Sequence, residues 1–369
     1  VAALAERITG APGILVCGRD DYPAGFASEL TAFAARIDCP VIADPLSGLR
    51  WGSHDRSRVL TATDLLLRNA DFVSRNRPRW ALQFGRTPTS AATLKLLAHP
   101  DTELCLVSDQ DRWADPSATA AQKIAADPLE LVRALETCQL SRVSDDWCGA
   151  WLAMERHATD LCISPELTPA EAGLVEAIEH ALPDNASLFM GNSMVIRAFD
   201  AFGRGREEDL RVFGNRGASG IDGNVSTILG LAAVSAKDVV GVIGDLTLYH
   251  DMNGLLAAKD LNATIVVVNN GGGAIFDLLN QRKLPNFEKL WLTPTGLDIG
   301  RIAGLYGLRH TCITSGEDLR SAIASRIGKP GVALIEYQVD RCDSTRRWSE
   351  LWERASTLQP VRDTEGRAT

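Results

Sequence analysis

The chain has 369 residues, enough for two α/β domains of roughly 150 to 200 residues each. Its composition, 45% hydrophobic, 23% charged and 6% aromatic, excludes a disordered, collagen-like or coiled-coil protein. With 38 Lys and Arg against 47 Asp and Glu the net charge is −9. The cations are scattered, so neither nucleic acid nor an anionic membrane is an expected partner, and no apolar stretch approaches the roughly 18 residues of a membrane span. A small-molecule partner is expected. The eight cysteines form neither a CxxC pair nor a zinc-spaced cluster and read as reduced core thiols. The first residues, Val-Ala-Ala-Leu-Ala-Glu-Arg, have no basic start or apolar stretch of a signal peptide, which with free cysteines points to the cytoplasm. Position 1 is Val inside a helical pattern (Val1, Leu4, Ile8), so an upstream segment is expected.

Short β-branched and apolar runs at residues 14–17, 40–43, 80–84 and 104–107 alternate with helix-compatible segments at residues 26–37 and 91–98. This alternation predicts a doubly wound parallel sheet over residues 1–138. Its first strand leads into Gly18-Arg19-Asp20-Asp21 rather than GxGxxG, so no dinucleotide site is expected. Residues 139–164, with Trp147, Trp151, Met154 and Leu161 at helical spacing, read as a linker helix with packing tryptophans. Thr168, Pro169 and Glu171 read as a capping box that opens the second domain, residues 165–350. There the alternation repeats, with strands at 187–190, 211–213, 239–243, 264–268 and 332–337 and helices at 225–234, 251–261 and 317–327. Residues 351–369 read as a C-terminal tail, frayed from Leu358 on. The expected fold class is α/β, two doubly wound parallel-sheet domains.

Chemistry concentrates in the second domain. A strand ends at Gly244-Asp245-Leu246, and the next apolar strand ends at Asn269-Asn270-Gly271-Gly272-Gly273. The spacing fits a strand-helix-strand crossover that sets Asp245 beside Asn270 at carboxyl strand ends, where open α/β sheets bind ligands. One carboxylate, one amide oxygen and a free backbone carbonyl in the glycine loop suit Mg²⁺, a hard cation, and disfavour zinc. Singly, each segment is better explained as a turn. Together they match the thiamine diphosphate signature of GD, about two dozen residues, then NN. The loop Asn215-Arg216-Gly217-Ala218-Ser219-Gly220-Ile221-Asp222-Gly223 allows close backbone approach to a ligand, and Arg216 in it can chelate a carboxylate or form a plain surface ion pair. Gly191-Asn192-Ser193 follows a strand and opens a helix, with Arg197 one turn on; Asn-Ser at this place is also a common N-cap.

These segments, with Tyr249-His250-Asp251-Met252-Asn253-Gly254, Ala274-Ile275-Phe276 and Val41-Ile42-Ala43-Asp44-Pro45-Leu46-Ser47-Gly48, resemble the thiamine-diphosphate enzyme family of 2-succinyl-5-enolpyruvyl-6-hydroxy-3-cyclohexene-1-carboxylate synthases, which serve menaquinone and phylloquinone biosynthesis. The resemblance runs to about Tyr337 and implies a middle domain followed by a thiamine diphosphate-binding domain. The family's N-terminal pyrimidine-binding domain, with its catalytic glutamate, has no counterpart in this sequence, so the chain is expected to need that domain for activity.

The resemblance implies a transferase that decarboxylates 2-oxoglutarate and adds the remaining four-carbon unit to isochorismate. It implies Asp245, Asn270 and Gly272 as holders of Mg²⁺ or Mn²⁺ on the cofactor diphosphate. Asn192, Gly217, Ser219, Gly244, Asp245, Leu246, Asn270 and Gly272 are implied as cofactor-binding residues, and Ile221 as the apolar wedge under the thiamine. Ser193, Arg197 and Arg216 are implied to position substrate carboxylates, and Ile275 and Phe276 to wall the pocket. Of the loop Gly85-Arg86-Thr87-Pro88-Thr89-Ser90, only Arg86 is carried over, as a substrate- or effector-binding residue. His250 is read as a structural histidine. A homodimer or dimer of dimers with sites between chains is implied, without nucleic acid or membrane partners. Two other classes stay open: an acetolactate-synthase-like carboligase and a non-catalytic cofactor-binding or regulatory subunit.

Overall fold

The computed structural model describes residues 1–110, 113–143 and 146–359, which form two compact units. The first unit contains Val1–Ile163, Arg204–Glu207 and the chain from Trp352 on; the second contains Ser164–Gly203 and Glu208–Leu351. Each is built on one six-stranded, all-parallel sheet.

In the first unit the strands are β1 (Gly13–Cys17), β2 (Val41–Ala43), β3 (Val59–Leu60), β4 (Trp80–Phe84), β5 (Glu103–Val107) and β6 (Gln122–Ile124), ordered β3-β2-β1-β4-β5-β6. The central strands β1 and β4 are buried along their whole length, as expected where helices cover both faces. The helix Phe26–Ile37 turns Phe26, Leu30, Phe33, Ala34 and Ile37 inward, a spacing that keeps one stripe on the core. The helix Trp147–Cys162 belongs to this unit. Trp151 is fully buried edge-on to Phe72 with ring centroids 5.2 Å apart, and Trp147 Nε1 donates to the Gly13 carbonyl at 2.8 Å. On the same helix, Glu155 Oε1 accepts from the amides of Thr61 (2.6 Å) and Ala62 (2.8 Å), so this buried carboxylate anchors the turn after β3. Arg86 lies just past the end of β4, where its amide donates to the Arg19 carbonyl.

The second unit has β7 (Ala186–Met190), β8 (Leu210–Phe213), β9 (Val239–Gly244), β10 (Ala263–Asn269), β11 (Arg309–Ile313) and β12 (Val332–Gln338), ordered β11-β12-β10-β9-β7-β8. β7, β9 and β10 are adjacent, so their carboxyl ends open on one place. Three expectations change here. The helix after β9 begins at Asp245, not near Asp251, because the Asp245 carboxylate accepts from the Leu246 amide at 2.8 Å and starts the helix at once. It runs Asp245–Asp251 and tightens into a 3₁₀ helix over Met252–Ala258. The capping box at Thr168 does not form: Thr168 Oγ1 donates back to the Ser164 carbonyl at 3.0 Å, while Glu171 is held by Ser344. The cysteines are all free thiols, but Cys312 and Cys342 are exposed, since one lies on the edge strand β11 and the other at the start of the helix Arg341–Ser356. No described helix is long and apolar enough to cross a membrane. Of the tail expected to fray, residues 360–369 lie outside the described residues.

Candidate functional site

The carboxyl ends of β7, β9 and β10 open into a cleft of about 460 Å³ in the second unit. β7 delivers Gly191-Asn192-Ser193. The Gly191 amide donates to the Val242 carbonyl of β9 at 2.8 Å, and a Cβ at Gly191 would stand 2.8 Å from that same oxygen, so the chain passes here only without a side chain. Ser193 follows with φ 65° and ψ −129°, and the helix Met194–Phe202 begins at the next residue.

Asn192, buried at 2% exposure, is the hub of the glycine loop. Its Nδ2 donates to the carbonyls of Asn215 (2.9 Å) and Gly220 (2.6 Å), and its Oδ1 accepts from Arg216 Nη1 at 2.8 Å. Its side chain therefore shapes the loop, and one Arg216 nitrogen is already committed inside the protein. Arg197 is exposed, with Nη1 donating to the Ser193 carbonyl at 2.8 Å. Ile221, Ile275 and Phe276 are half-buried on the apolar side of the cleft, where the Phe276 ring stands edge-on to Trp291 at 5.2 Å.

β9 and β10 bring the polar floor. Val268 pairs with Gly244, so Asp245 and Asn270 follow adjacent strand ends. Burial pushes the Asp245 carboxyl up to about 6, against the hydrogen bonds from the amides of Leu246, Gly272 and Gly271 that favour its ionised form. Asn270 Oδ1 is buried with no hydrogen-bond partner. The Gly272 carbonyl accepts from the Ala274 amide at 2.9 Å and keeps a second lone pair. A costly carboxylate beside an orphaned amide oxygen is what a bound cation would resolve. Among the described residues no three His, Cys, Asp or Glu side chains stand together, so the donors are one carboxylate with neutral oxygens. That set fits a hard divalent ion, Mg²⁺ or Mn²⁺.

The residues expected from the sequence line this cleft except Gly217, which is exposed on the loop, and Arg86, which belongs to the first unit. His250 is exposed edge-on to Tyr249, outside the cleft. The wall also contains residues the sequence gave no reason to choose, Glu171 and Leu174 among them. Glu171 is 3% exposed, and Ser344 Oγ lies 2.9 and 2.8 Å from its two oxygens. Burial raises its carboxyl above the ordinary range. A carboxyl raised in the folded state holds its proton more tightly there, so the stability it confers is full at low pH and is lost as pH rises through its folded value. Glu171→Gln keeps the shape without the charge and is expected to raise Tm at pH 8 by more than at pH 5. An equal change at both pH values, in the cofactor-free protein, would contradict this placement of charge.

Comparison with known proteins agrees with this geometry. Residues 4–190 match the family model "Middle domain of thiamine pyrophosphate", and residues 201–337 match "Thiamine pyrophosphate enzyme, C-terminal TPP binding domain". The chain belongs to the thiamine pyrophosphate enzymes, whose cofactor is thiamine diphosphate. Among its curated relatives, the 2-succinyl-5-enolpyruvyl-6-hydroxy-3-cyclohexene-1-carboxylate synthase of Geobacillus kaustophilus (strain HTA426) is 39% identical over 365 residues, covering 95% of this chain and 62% of the relative. The synthase of the same name from Dechloromonas aromatica (strain RCB) is 38% identical over 335 residues, covering 91% and 61%. The chain thus spans about three fifths of the length of these relatives. A solved structure from Mycobacterium smegmatis, whose name places it with thiamin diphosphate-dependent enzymes, aligns with a TM-score of 0.63 over 92% of this chain and 64% of its own. At 18% identity it shows a shared fold.

Proposed function

We propose that the chain is the middle and cofactor-binding part of a 2-succinyl-5-enolpyruvyl-6-hydroxy-3-cyclohexene-1-carboxylate synthase, decarboxylating 2-oxoglutarate and joining the four-carbon remainder to isochorismate. The observation that carries this is one cleft in which a cation floor, Asp245 and Asn270, faces two arginines, Arg197 and Arg216, and an apolar wall, Ile221, Ile275 and Phe276. Residues 1–138 and 165–350 are the two domains in this reading. The free cysteines support a reducing compartment, the cytoplasm. Assembly as a homodimer or dimer of dimers belongs to the same proposal.

Thiamine diphosphate supplies the carbon nucleophile, a task no protein side chain performs alone. The chain's own groups bind and orient. Asp245, Asn270 and the Gly272 carbonyl would hold the divalent ion against the diphosphate, the Gly244-Asp245-Leu246 turn would present backbone amides to it, and Asn192 fixes the glycine loop beneath. Ile221 would press the thiamine from below. Arg197, Arg216 and Ser193, all in the cleft lining, would position the substrate carboxylates, and Ile275 with Phe276 would keep water from the reacting carbon.

The test is CO2 release from 2-oxoglutarate with isochorismate, thiamine diphosphate and Mg²⁺, on the full-length protein. Arg197→Ala and Arg216→Ala are each expected to lower kcat/KM by about 10- to 100-fold, the loss of a charge-assisted contact. Turnover of pyruvate in preference to 2-oxoglutarate would move the protein to an acetolactate-type carboligase. Absence of turnover with either would leave the regulatory-subunit reading.

A further inference from the structure

We propose that Glu336 is a positioning residue that fixes the metal-holding loop through Asn269. The proposal rests on the reading of Asp245 and Asn270 as holders of a divalent ion and adds the group that sets their geometry. Glu336 is on β12, in register with Val267 of β10, and is only 6% exposed. Its Oε1 accepts from Asn269 Nδ2 at 2.7 Å and, more weakly, from Gln338 Nε2 at 3.4 Å. Its Oε2 meets His310 Nε2 of β11 at 3.0 Å. At the other end, Asn269 Oδ1 accepts from the Gly271 amide at 3.3 Å, while the Asn269 carbonyl accepts from the Val339 amide at 2.9 Å.

A polar chain therefore runs His310, Glu336, Asn269, Gly271 across three strands and stops at the turn that carries Asn270. The ladder between β10 and β12 is made by main-chain groups and needs no carboxylate, and burying one is costly unless its partners use it. Asn269 uses it. With its Nδ2 held by Glu336, its Oδ1 is aimed at Gly271, the left-handed turn residue (φ 76°). That turn presents the orphaned Asn270 Oδ1 and points the amides of Gly271 and Gly272 at Asp245. Groups that orient metal ligands without touching the ion alter its affinity by about 10- to 100-fold.

The test is Mn²⁺ binding to the full-length protein in the presence of thiamine diphosphate, read by the loss of the free-ion electron paramagnetic resonance signal, with Tm measured on each variant. Glu336→Ala is expected to weaken Mn²⁺ by about 10-fold or more, and Glu336→Gln, which keeps an oxygen for Asn269 Nδ2, to recover to within about 3-fold of the native protein. Asp245→Ala is the control. Native Mn²⁺ affinity in Glu336→Ala, alongside its loss in Asp245→Ala, overturns the positioning role and leaves the metal site standing. Native affinity in Asp245→Ala overturns both. Where Glu336→Ala does not fold, Asn269→Ala cuts the same link from the loop side, and unchanged Mn²⁺ affinity in it overturns the proposal equally. Weakening in Glu336→Ala that the Gln variant does not relieve also counts against it, because a general packing defect would do the same.

Discussion

Asp245→Ala is expected to abolish Mg²⁺-dependent binding of thiamine diphosphate to the full-length protein, by about 100-fold or more in affinity, because it removes the one charge among the proposed ligands. The same change is expected to make the metal-free protein more stable. The Asp245 carboxyl, raised from 3.8 to about 6 by burial, binds its proton more tightly folded than unfolded. Its contribution to stability is therefore full below about pH 4, falls between pH 4 and 6, and leaves the ionised group a burden above that, roughly 2 kcal/mol after allowing for its partial exposure. Alanine removes the burden. Titration calorimetry with the cofactor and a thermal melt at pH 8 read the two effects separately. Retained cofactor affinity in the variant would sink the metal assignment, and an unchanged or lowered Tm would show that the carboxylate was already satisfied without an ion.

Gly272→Ala is the second change with a large expected effect, and it acts through the backbone. A Cβ at Gly272 would stand 2.3 Å from the Leu292 carbonyl oxygen, the acceptor of the Gly273 amide at 2.7 Å, and Gly272 has φ 131°. Neither obstacle is the flexible end of a side chain. The expected cost is on the order of 3 kcal/mol in stability, from strain and the displaced hydrogen bond. Because the same loop carries Asn270, cofactor affinity is expected to fall as well. A variant with native Tm and native affinity would mean that the loop has another conformation open to it.

The strands that the sequence revealed are the ones with an apolar run to show. β1, β2, β4, β5, β7, β9, β10 and β12 are inner strands, and their Val, Ile and Leu runs are the mark of a sheet covered on both faces. One edge strand, β8, was also revealed, by its Val212-Phe213 pair. The strands it did not reveal, β3, β6 and β11, all lie on sheet edges. β3 is two residues long, and neither β6 nor β11 has a buried residue, so neither length nor hydrophobicity announced them. The site was legible where chemistry sits in a contiguous motif, as at Asp245 and Asn270. It was not legible at Glu171, which local spacing cast as a helix cap and which Ser344, 173 residues away, claims instead. Nor was it at Glu336, whose partners Asn269 and His310 meet only through strand pairing. For the same reason the bonds by which Asn192 shapes the glycine loop were not legible, since their acceptors Asn215 and Gly220 lie 23 and 28 residues on.

Ser193 shows what such a site asks of the fold. Its φ of 65° with ψ of −129° lies in backbone space almost reserved for glycine, and a serine held there stores about 1 to 3 kcal/mol of strain. Stability alone favours glycine at position 193, which relaxes the bend, whereas the role proposed for Ser193 needs its hydroxyl in the cleft wall. Selecting variants of this protein for heat resistance without a simultaneous demand for turnover would drift toward glycine at this bend, and the hydroxyl would be lost while every bulk measure of folding improved.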